Sequence, residues 1–164
     1  MKYVFFGNSR FSRFVLEKLI DAGIPPAVLV CNPDRPVGRK QIITPPLTKQ
    51  LIKEKSLNIV IYQPASKEEL GQLADKIFEG MELGVLAAYG LIVPSSVIEK
   101  SKKGIVVVHP SLLPKYRGAT PIQTAILNSD TETGTTIFLM DEKLDHGPLL
   151  SQATISVESK TYLE

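Results

Sequence analysis

The chain has 164 residues, of which 43% are hydrophobic and 22% are charged, with a formal net charge of +2. This length is ample for one domain with a buried core, and the charge neither requires nor excludes a nucleic-acid partner. No apolar stretch approaches the roughly 20 residues of a bilayer-spanning helix, and the apolar start is too short for a secretory signal. A single cysteine, Cys31, excludes an intramolecular disulfide and favours a cytoplasmic location.

Apolar runs and helical spacing alternate along most of the chain. Strands are predicted where apolar residues cluster, at residues 2–7, 27–31, 59–62, 83–88 and 104–108. Helices are predicted between them, over residues 11–20, from Pro46, after a Ser66–Glu69 capping box, and over residues 95–100. Residues 32–44 are predicted to form a long loop rich in proline and basic side chains. This alternation predicts an α/β fold with a mostly parallel twisted sheet and helices on both faces.

The carboxyl-terminal part has a different pattern. After a helix that starts at Thr120-Pro121, two strands are predicted at residues 134–140 and 148–157, with an antiparallel edge pair as the expected arrangement. Residues 159–164 have the pattern of a helix opening that has no room to continue. We therefore expect one domain over residues 1–164 that is truncated at its carboxyl-terminal end, the alternative being a frayed tail.

Ligands of open parallel sheets bind beyond the carboxyl ends of the strands. The residues to consider therefore come just after Phe6, Cys31, Ala88 and Val108. His109 directly follows the fifth predicted strand, in a loop that Pro110 and Pro114 restrict. A histidine held in such a restricted loop can shuttle a proton or polarise a carbonyl near neutral pH. The alternative is a histidine that only satisfies a buried carbonyl.

Asp145 favours the catalytic interpretation. It lies in the turn-forming segment 141–147, between the last two predicted strands. A carboxylate beside an imidazole orients the ring and raises its basicity, and such a pair can take a proton from an amine that attacks a carbonyl. The side chains of Asp141, Glu142 and Lys143 are interpreted as a solvated turn.

Several motifs, in this order, resemble those of the formyltetrahydrofolate-dependent formyltransferases. They are His109 to Pro114, Arg117-Gly118, Thr-Gly-Thr-Thr-Ile at residues 133–137, and Leu144-Asp145-His146-Gly147. The similarity runs from Phe5 to the end of the chain and implies the formyltransferase-type Rossmann-like fold. It also implies 10-formyltetrahydrofolate as cosubstrate, no metal, and transfer of the formyl group to an amine.

Within that family the chain most resembles the amino-terminal catalytic domain of the methionyl-tRNA formyltransferases. The loop from Asn32 to Lys40 is similar to their tRNA-facing insertion. We expect Arg35, Arg39 and Lys40 to meet phosphates of an acceptor stem, the alternative being a solvated basic loop. The resemblance implies initiator methionyl-tRNA as substrate, with no membrane association and no obligatory protein partner evident.

The resemblance also assigns site residues. The family's catalytic trio is an asparagine two residues before the histidine, the histidine and the aspartate, and His109 and Asp145 match the last two. Its cofactor-binding residues, which contribute largely main-chain groups, correspond by position to Leu86, Ala87, Ala88, Tyr89, Gly90, Leu91, Ser111, Leu112 and Asp141. Leu86 and Leu91 fit a plain core role equally well.

Val107 departs from the family pattern because it occupies the asparagine position. Valine has no N–H group to donate to the formyl oxygen as negative charge develops there. Loss of one such donor lowers a rate by roughly 10²–10³. The sequence also has nothing that resembles the carboxyl-terminal tRNA-binding barrel domain of the family's tRNA enzymes. We therefore expect impaired formyl transfer; the alternatives are a catalytically silent folate-binding module and a formyltransferase for a nucleotide sugar or another small amine.

Overall fold

The computed structural model describes residues 1–158, which divide into two compact units, Met1–Ile105 and the residues from Val106 onward. The predicted helix opening at 159–164 lies outside the described residues. The first unit contains, in chain order, β1 (Tyr3–Phe6), α1 (Arg10–Asp21), β2 (Val28–Val30), β3 (Arg35–Val37), β4 (Ile42–Thr44), α2 (Leu47–Glu54), β5 (Val60–Tyr62), α3 (Lys67–Gln72), α4 (Ala74–Ile77), β6 (Leu83–Leu86) and α5 (Ser95–Ile98).

The sheet of the first unit is parallel. Its strands lie in the order β5-β2-β1-β6, and all three neighbouring pairs run in the same direction. β1 is completely buried, as its unbroken apolar sequence Tyr3–Phe6 predicts. The chain proceeds outward from β1 to β2 and β5 and then returns to β6 on the other side of β1. The strand order therefore reverses between β1 and β6, where open α/β sheets bind their ligands.

Helix α1 is fixed at its start by a reciprocal cap. The Ser9 hydroxyl accepts from the Ser12 amide, and the Ser12 hydroxyl accepts from the Ser9 amide. Gly7, just before this cap, has no room for a side chain, because a Cβ there would lie 2.6 Å from Cβ of Ser12 and 2.8 Å from the Ala87 carbonyl oxygen. Close approach of backbone and helix therefore explains this glycine.

The second unit is antiparallel. It contains all of β7 (Ile105–His109) except Ile105, together with α6 (Pro121–Leu127), β8 (Glu132–Leu139) and β9 (Leu149–Ser156). β8 pairs antiparallel with both β7 and β9, with a register irregularity at Ile137/Phe138. The predicted α/β fold with a mostly parallel sheet and a final antiparallel pair is thus confirmed.

Three local predictions need correction. Residues 32–44 are not loop throughout, since β3 and β4 form an antiparallel hairpin within them. The helix predicted after Ser66 divides into α3 and α4 at Leu73. Ser66 caps the Glu69 amide as predicted, but the Glu69 carboxylate accepts from the Ala65 amide instead of closing a capping box.

Candidate active site

β7 presents two candidate side chains on one face. Its burial alternates along the strand, with Ile105, Val107 and His109 buried and the residues between them partly exposed. Because side chains two residues apart in a strand point the same way, Val107 and His109 face the same side. They are 3% and 6% exposed. The strand therefore places the asparagine position and the histidine of the motif side by side.

The imidazole of His109 is held by a main-chain carbonyl. Its Nε2 atom lies 3.0 Å from the carbonyl oxygen of Tyr116. A carbonyl oxygen only accepts, so Nε2 carries the hydrogen and donates it. In the neutral ring, Nδ1 is then the nitrogen without a proton, available to accept one.

Asp145 lies beside that free nitrogen. Its Oδ2 atom is 3.8 Å from Nδ1 of His109, and its side chain is 15% exposed. The same oxygen accepts a 2.7 Å hydrogen bond from the Gly118 amide. A distance of 3.8 Å is too long for a hydrogen bond, so the ring is oriented by Tyr116, and the sequence-based expectation that the carboxylate orients it is not met. The charge nevertheless faces the ring across a short gap.

The loop that carries Asp145 is tightly constrained. Asp145 has a φ of 44°, in the left-handed region that few side chains adopt. Gly147 allows the chain to return to the sheet, because a Cβ there would lie 1.7 Å from the carbonyl oxygen of Leu139. The glycine of the Leu-Asp-x-Gly motif is thus explained by close packing of the loop.

The Asp141 carboxylate is used within the same loop. Its Oδ2 lies 2.7 Å from Nδ1 of His146, and its Oδ1 accepts a 2.9 Å bond from the Lys143 amide. The hydrogen bond from His146, followed by that from Lys143, lowers the pKa of Asp141. A cofactor contact at Asp141 would therefore come from its main chain, and that assignment stays a prediction.

Ser111 and Leu112 belong to the rigid loop after His109. The Ser111 hydroxyl donates to the Lys115 carbonyl at 2.6 Å, and the Ser111 carbonyl accepts from the Thr136 hydroxyl at 2.6 Å. Leu112 lines a shallow cleft of the second unit whose other walls include Tyr116 and Thr133. The Leu112 carbonyl accepts from the Lys115 amide at 3.0 Å, so both residues hold the loop in shape, and their assignment to the cofactor stays a prediction.

The other predicted cofactor residues follow β6 in the first unit. Ala87 and Tyr89 are buried, whereas Ala88 and Gly90 are exposed. Ala88 and Gly90 have positive φ values of 44° and 86°, so the chain turns sharply here. The Tyr89 hydroxyl is buried without a hydrogen-bond partner among the described residues, and burial raises its pKa. Leu86 and Leu91 are partly exposed, which leaves both a ligand contact and a packing role open.

Two residues that contact this turn carried no site role in the sequence analysis. Asn8 donates from Nδ2 to the Tyr89 carbonyl and accepts at Oδ1 from the Asn32 amide at 2.5 Å. Ser12 donates to the Ala87 carbonyl at 2.5 Å. Asn8 directly follows the glycine after β1, so its place at a strand's carboxyl end was a signal that could have identified it.

The basic side chains of the predicted tRNA loop lie on and around the β3–β4 hairpin. Arg35, Arg39 and Lys40 are exposed. The base of the hairpin is fixed by Asp34, which binds Lys49 at 2.8 Å and Gln63 at 2.8 Å. The cations are therefore presented to solvent on a segment whose base is anchored. Among the described residues, no helix is both long and apolar enough to cross a membrane.

Comparison with known proteins identifies the family. The sequence profile described as formyl transferase matches residues 1–164. The chain is 43% identical to the methionyl-tRNA formyltransferase of Halalkalibacterium halodurans over 96% of its own length and 49% of the relative's. It is 46% identical to the protein of the same name from Listeria innocua, over 95% and 49%. The chain thus spans about half the length of the curated relatives it matches.

Solved structures share the fold. A phosphoribosylglycinamide formyltransferase from Bacillus halodurans matches with a TM-score of 0.74 and 24% identity, over 99% of this chain and 83% of that one. A formyltetrahydrofolate deformylase from Pseudomonas syringae matches with a TM-score of 0.74 and 20% identity, over 98% and 53%. Because the profile matches residues 1–164, the chain belongs to the formyl transferase family.

Proposed function

We propose that this chain binds 10-formyltetrahydrofolate and transfers its formyl group to the amino group of initiator methionyl-tRNA, at a rate that Val107 reduces. The observation that carries the proposal is the approach of Asp145 Oδ2 to His109 Nδ1, at 3.8 Å in a largely buried setting. Family membership supplies the reaction class, and the names of the relatives supply the tRNA substrate. A cytoplasmic location remains an expectation.

The carboxylate of Asp145 is suited to accept a proton. An amine that attacks a formyl carbon must lose a proton as the new C–N bond forms, and the nitrogen that leaves the formyl carbon must gain one. The side chain of Asp145 is 15% exposed, so an incoming amine can reach its carboxylate. It therefore serves as the base that takes the amine proton and returns it to the leaving nitrogen.

His109 is suited to assist from the adjacent position. Its Nε2–H is bound to Tyr116, so only Nδ1 faces Asp145. A proton on Nδ1 would face the Asp145 carboxylate, and we infer that it also meets the formyl oxygen as negative charge develops there. His109 thus provides a stabilising charge or a proton relay, on a ring whose orientation is fixed in advance.

The folate would supply an activated one-carbon group, and the chain offers groups that fit it. The backbone of the exposed residues Ala88 and Gly90 can bind the polar edge of a pterin, while Ala87 and Tyr89 are buried. The tRNA would meet the exposed cations Arg35, Arg39 and Lys40.

A specific observation favours a second function, namely folate binding without turnover. Val107 is buried beside His109 and offers no hydrogen to the formyl oxygen. If the remaining donors do not compensate, the chain would hold formylfolate and transfer nothing.

The proposal is tested by a formyl-transfer assay on the full chain with 10-formyltetrahydrofolate. Methionyl-tRNA, a nucleotide sugar bearing a free amine, and glycinamide ribonucleotide are offered in parallel. We expect slow formylation of methionyl-tRNA and none of the small amines. Transfer to a small amine alone would overturn the tRNA assignment, and folate binding without transfer to any acceptor would establish the silent module.

A further inference from the structure

We propose that Asn8 and Ser12 are positioning residues that aim the backbone amides of the turn after β6 toward the pterin. The inference rests on the proposed function, because it takes residues 86–91 as the folate-binding turn. It concerns the first unit alone, at the point where the order of its strands reverses.

The first step is that side chains hold consecutive carbonyls of this turn. Ser12, which is fully buried, donates its hydroxyl hydrogen to the Ala87 carbonyl at 2.5 Å, and the Ala88 carbonyl lies 3.2 Å from the same oxygen. Asn8 donates from Nδ2 to the Tyr89 carbonyl. Three successive carbonyls thus face the start of helix α1.

The second step is the geometry of the peptide bond. These peptides are trans, so the N–H of each peptide points opposite to its C=O. Holding the carbonyls of Ala87, Ala88 and Tyr89 inward therefore directs the amides of Ala88, Tyr89 and Gly90 outward. Of these three residues, Ala88 and Gly90 are exposed. The turn becomes a pair of N–H donors suited to the acceptor atoms of a flat heterocycle such as a pterin.

The third step is that this conformation needs support. Ala88 has a φ of 44°, which is unfavourable for a residue with a side chain. Without Ser12 and Asn8 the peptides on either side can rotate and turn the amides away. The hydrogen bonds therefore maintain a backbone arrangement that the sequence of the turn does not itself favour.

The orientation of the Asn8 amide is defined by its partners. The main-chain N–H of Asn32 can only donate, so the Asn8 atom 2.5 Å from it must be the acceptor Oδ1. Nδ2 is then the atom that faces the Tyr89 carbonyl. Asn8 consequently links the folate-binding turn to the first residue after Cys31, where the chain enters the basic hairpin. One substitution can remove the hydrogen bond to the Tyr89 carbonyl while keeping the one from the Asn32 main-chain amide.

Asn8→Asp is that substitution. Aspartate keeps an acceptor for Asn32 and replaces the donor toward Tyr89 with an oxygen, which repels the carbonyl. Ser12→Ala removes the second donor. Ser9→Ala is the matched control, because it removes the cap of α1 while leaving Ser12 free to bind Ala87.

The experiment measures the affinity of the full chain and each variant for 5-formyltetrahydrofolate, and for methionyl-tRNA, under conditions where all are folded. We expect Asn8→Asp to weaken folate binding roughly 10-fold with tRNA affinity unchanged. Ser12→Ala should have a similar effect, and Ser9→Ala should stay within about twofold. This separation of the two ligands distinguishes positioning from a general loss of stability.

The outcomes separate this inference from the function on which it depends. Folate binding by the unaltered chain, unchanged in Asn8→Asp, would overturn the positioning role and leave the proposed function standing. An equal loss in Ser9→Ala would also overturn it, because a damaged helix cap would then explain the effect. Failure of the unaltered chain to bind 5-formyltetrahydrofolate would overturn the proposed function first.

Discussion

Val107 and His109 lie two residues apart on one face of β7, and both are almost fully buried. The histidine reaches its polar partners, Tyr116 and Asp145, from this face. The valine side chain has no polar group that could bind a polar substrate. Its branched shape suits a strand, where it pairs with Phe138 of β8. The strand is therefore well packed at the position where the proposed reaction would use an amide.

Val107→Asn restores that amide, and we expect it to raise the formyl-transfer rate by roughly 10²-fold or more. The new amide is buried and lacks an evident partner before substrate binds, so the free energy of unfolding should fall by about 1–3 kcal/mol. Rates from single-turnover assays and urea denaturation of the same preparations measure the two effects. Val107→Ala, which shortens the side chain without adding a donor, should gain no activity; equal gains in both variants would refute the oxyanion explanation.

The basic hairpin leads to a prediction about salt. Replacing Arg39 and Lys40 with alanine should weaken methionyl-tRNA binding about 10-fold at low salt, and should reduce the dependence of log K on log salt concentration by about 1 for each phosphate that the chain no longer binds. Lys67→Ala with Lys102→Ala removes two exposed positive charges from elsewhere in the first unit and is the control. Comparable weakening in both double variants would show that net charge, and not the hairpin, attracts the tRNA.

Gly7→Ala tests the close approach at the end of β1. The added methyl group would meet Cβ of Ser12 and the Ala87 carbonyl oxygen at less than 3 Å, so we expect a loss of about 1–3 kcal/mol in the free energy of unfolding. Gly71→Ala in α3 is the matched control, since its nearest neighbour, Ser96, lies at an ordinary 3.5 Å. That variant should be neutral or gain up to about 1 kcal/mol. Similar thermal stability for Gly7→Ala and the unaltered chain would contradict the close packing around Gly7.

The buried thiol of Cys31 should lower the free energy of unfolding at alkaline pH. Burial raises the pKa of its thiol from 9.0 to about 12. The folded state thus holds the proton more tightly than the unfolded state, so the stabilisation is complete below pH 9 and is lost as the pH rises toward 12. Between pH 8 and pH 10 the free energy of unfolding should fall by about 1 kcal/mol from this thiol. Urea titrations of Cys31→Ala should lack that part of the decrease; an identical pH dependence would show that the thiol is not the cause.

Much of the fold was predictable because its causes are local. The apolar run at Tyr3–Phe6 gave a buried strand, and the Thr120-Pro121 start of α6 was correctly located. The β3–β4 hairpin was missed because Pro36 and the charged residues around it are poor strand formers, and its strands are exposed. The pairing of β3 with β4 depends on the geometry of the turn near Gly38, which has a φ of 70°.

The proximity of His109 and Asp145 was predictable from the sequence, whereas their hydrogen bonding was not. Motif spacing brought His109 and Asp145 together, and the structure places them in proximity. The Tyr116 carbonyl that binds His109 left no trace in the sequence, because any residue carries a carbonyl and only the backbone path decides where it points. The same reason hid the contacts of Asn8 and Ser12, whose partners are main-chain atoms far away in sequence, although the position of Asn8 after β1 was a usable signal.

The most direct test of the account is the rate of formyl transfer to methionyl-tRNA by Val107→Asn, with and without Asp145→Asn. The asparagine at 145 can still accept from the Gly118 amide, so the loop should keep its shape while the base is lost. We predict measurable transfer by the single variant and a rate at least roughly 10²-fold lower in the double variant, with unchanged folate affinity. Equal rates in the two variants would contradict the assignment of Asp145 as the proton acceptor and, with it, the proposed mechanism.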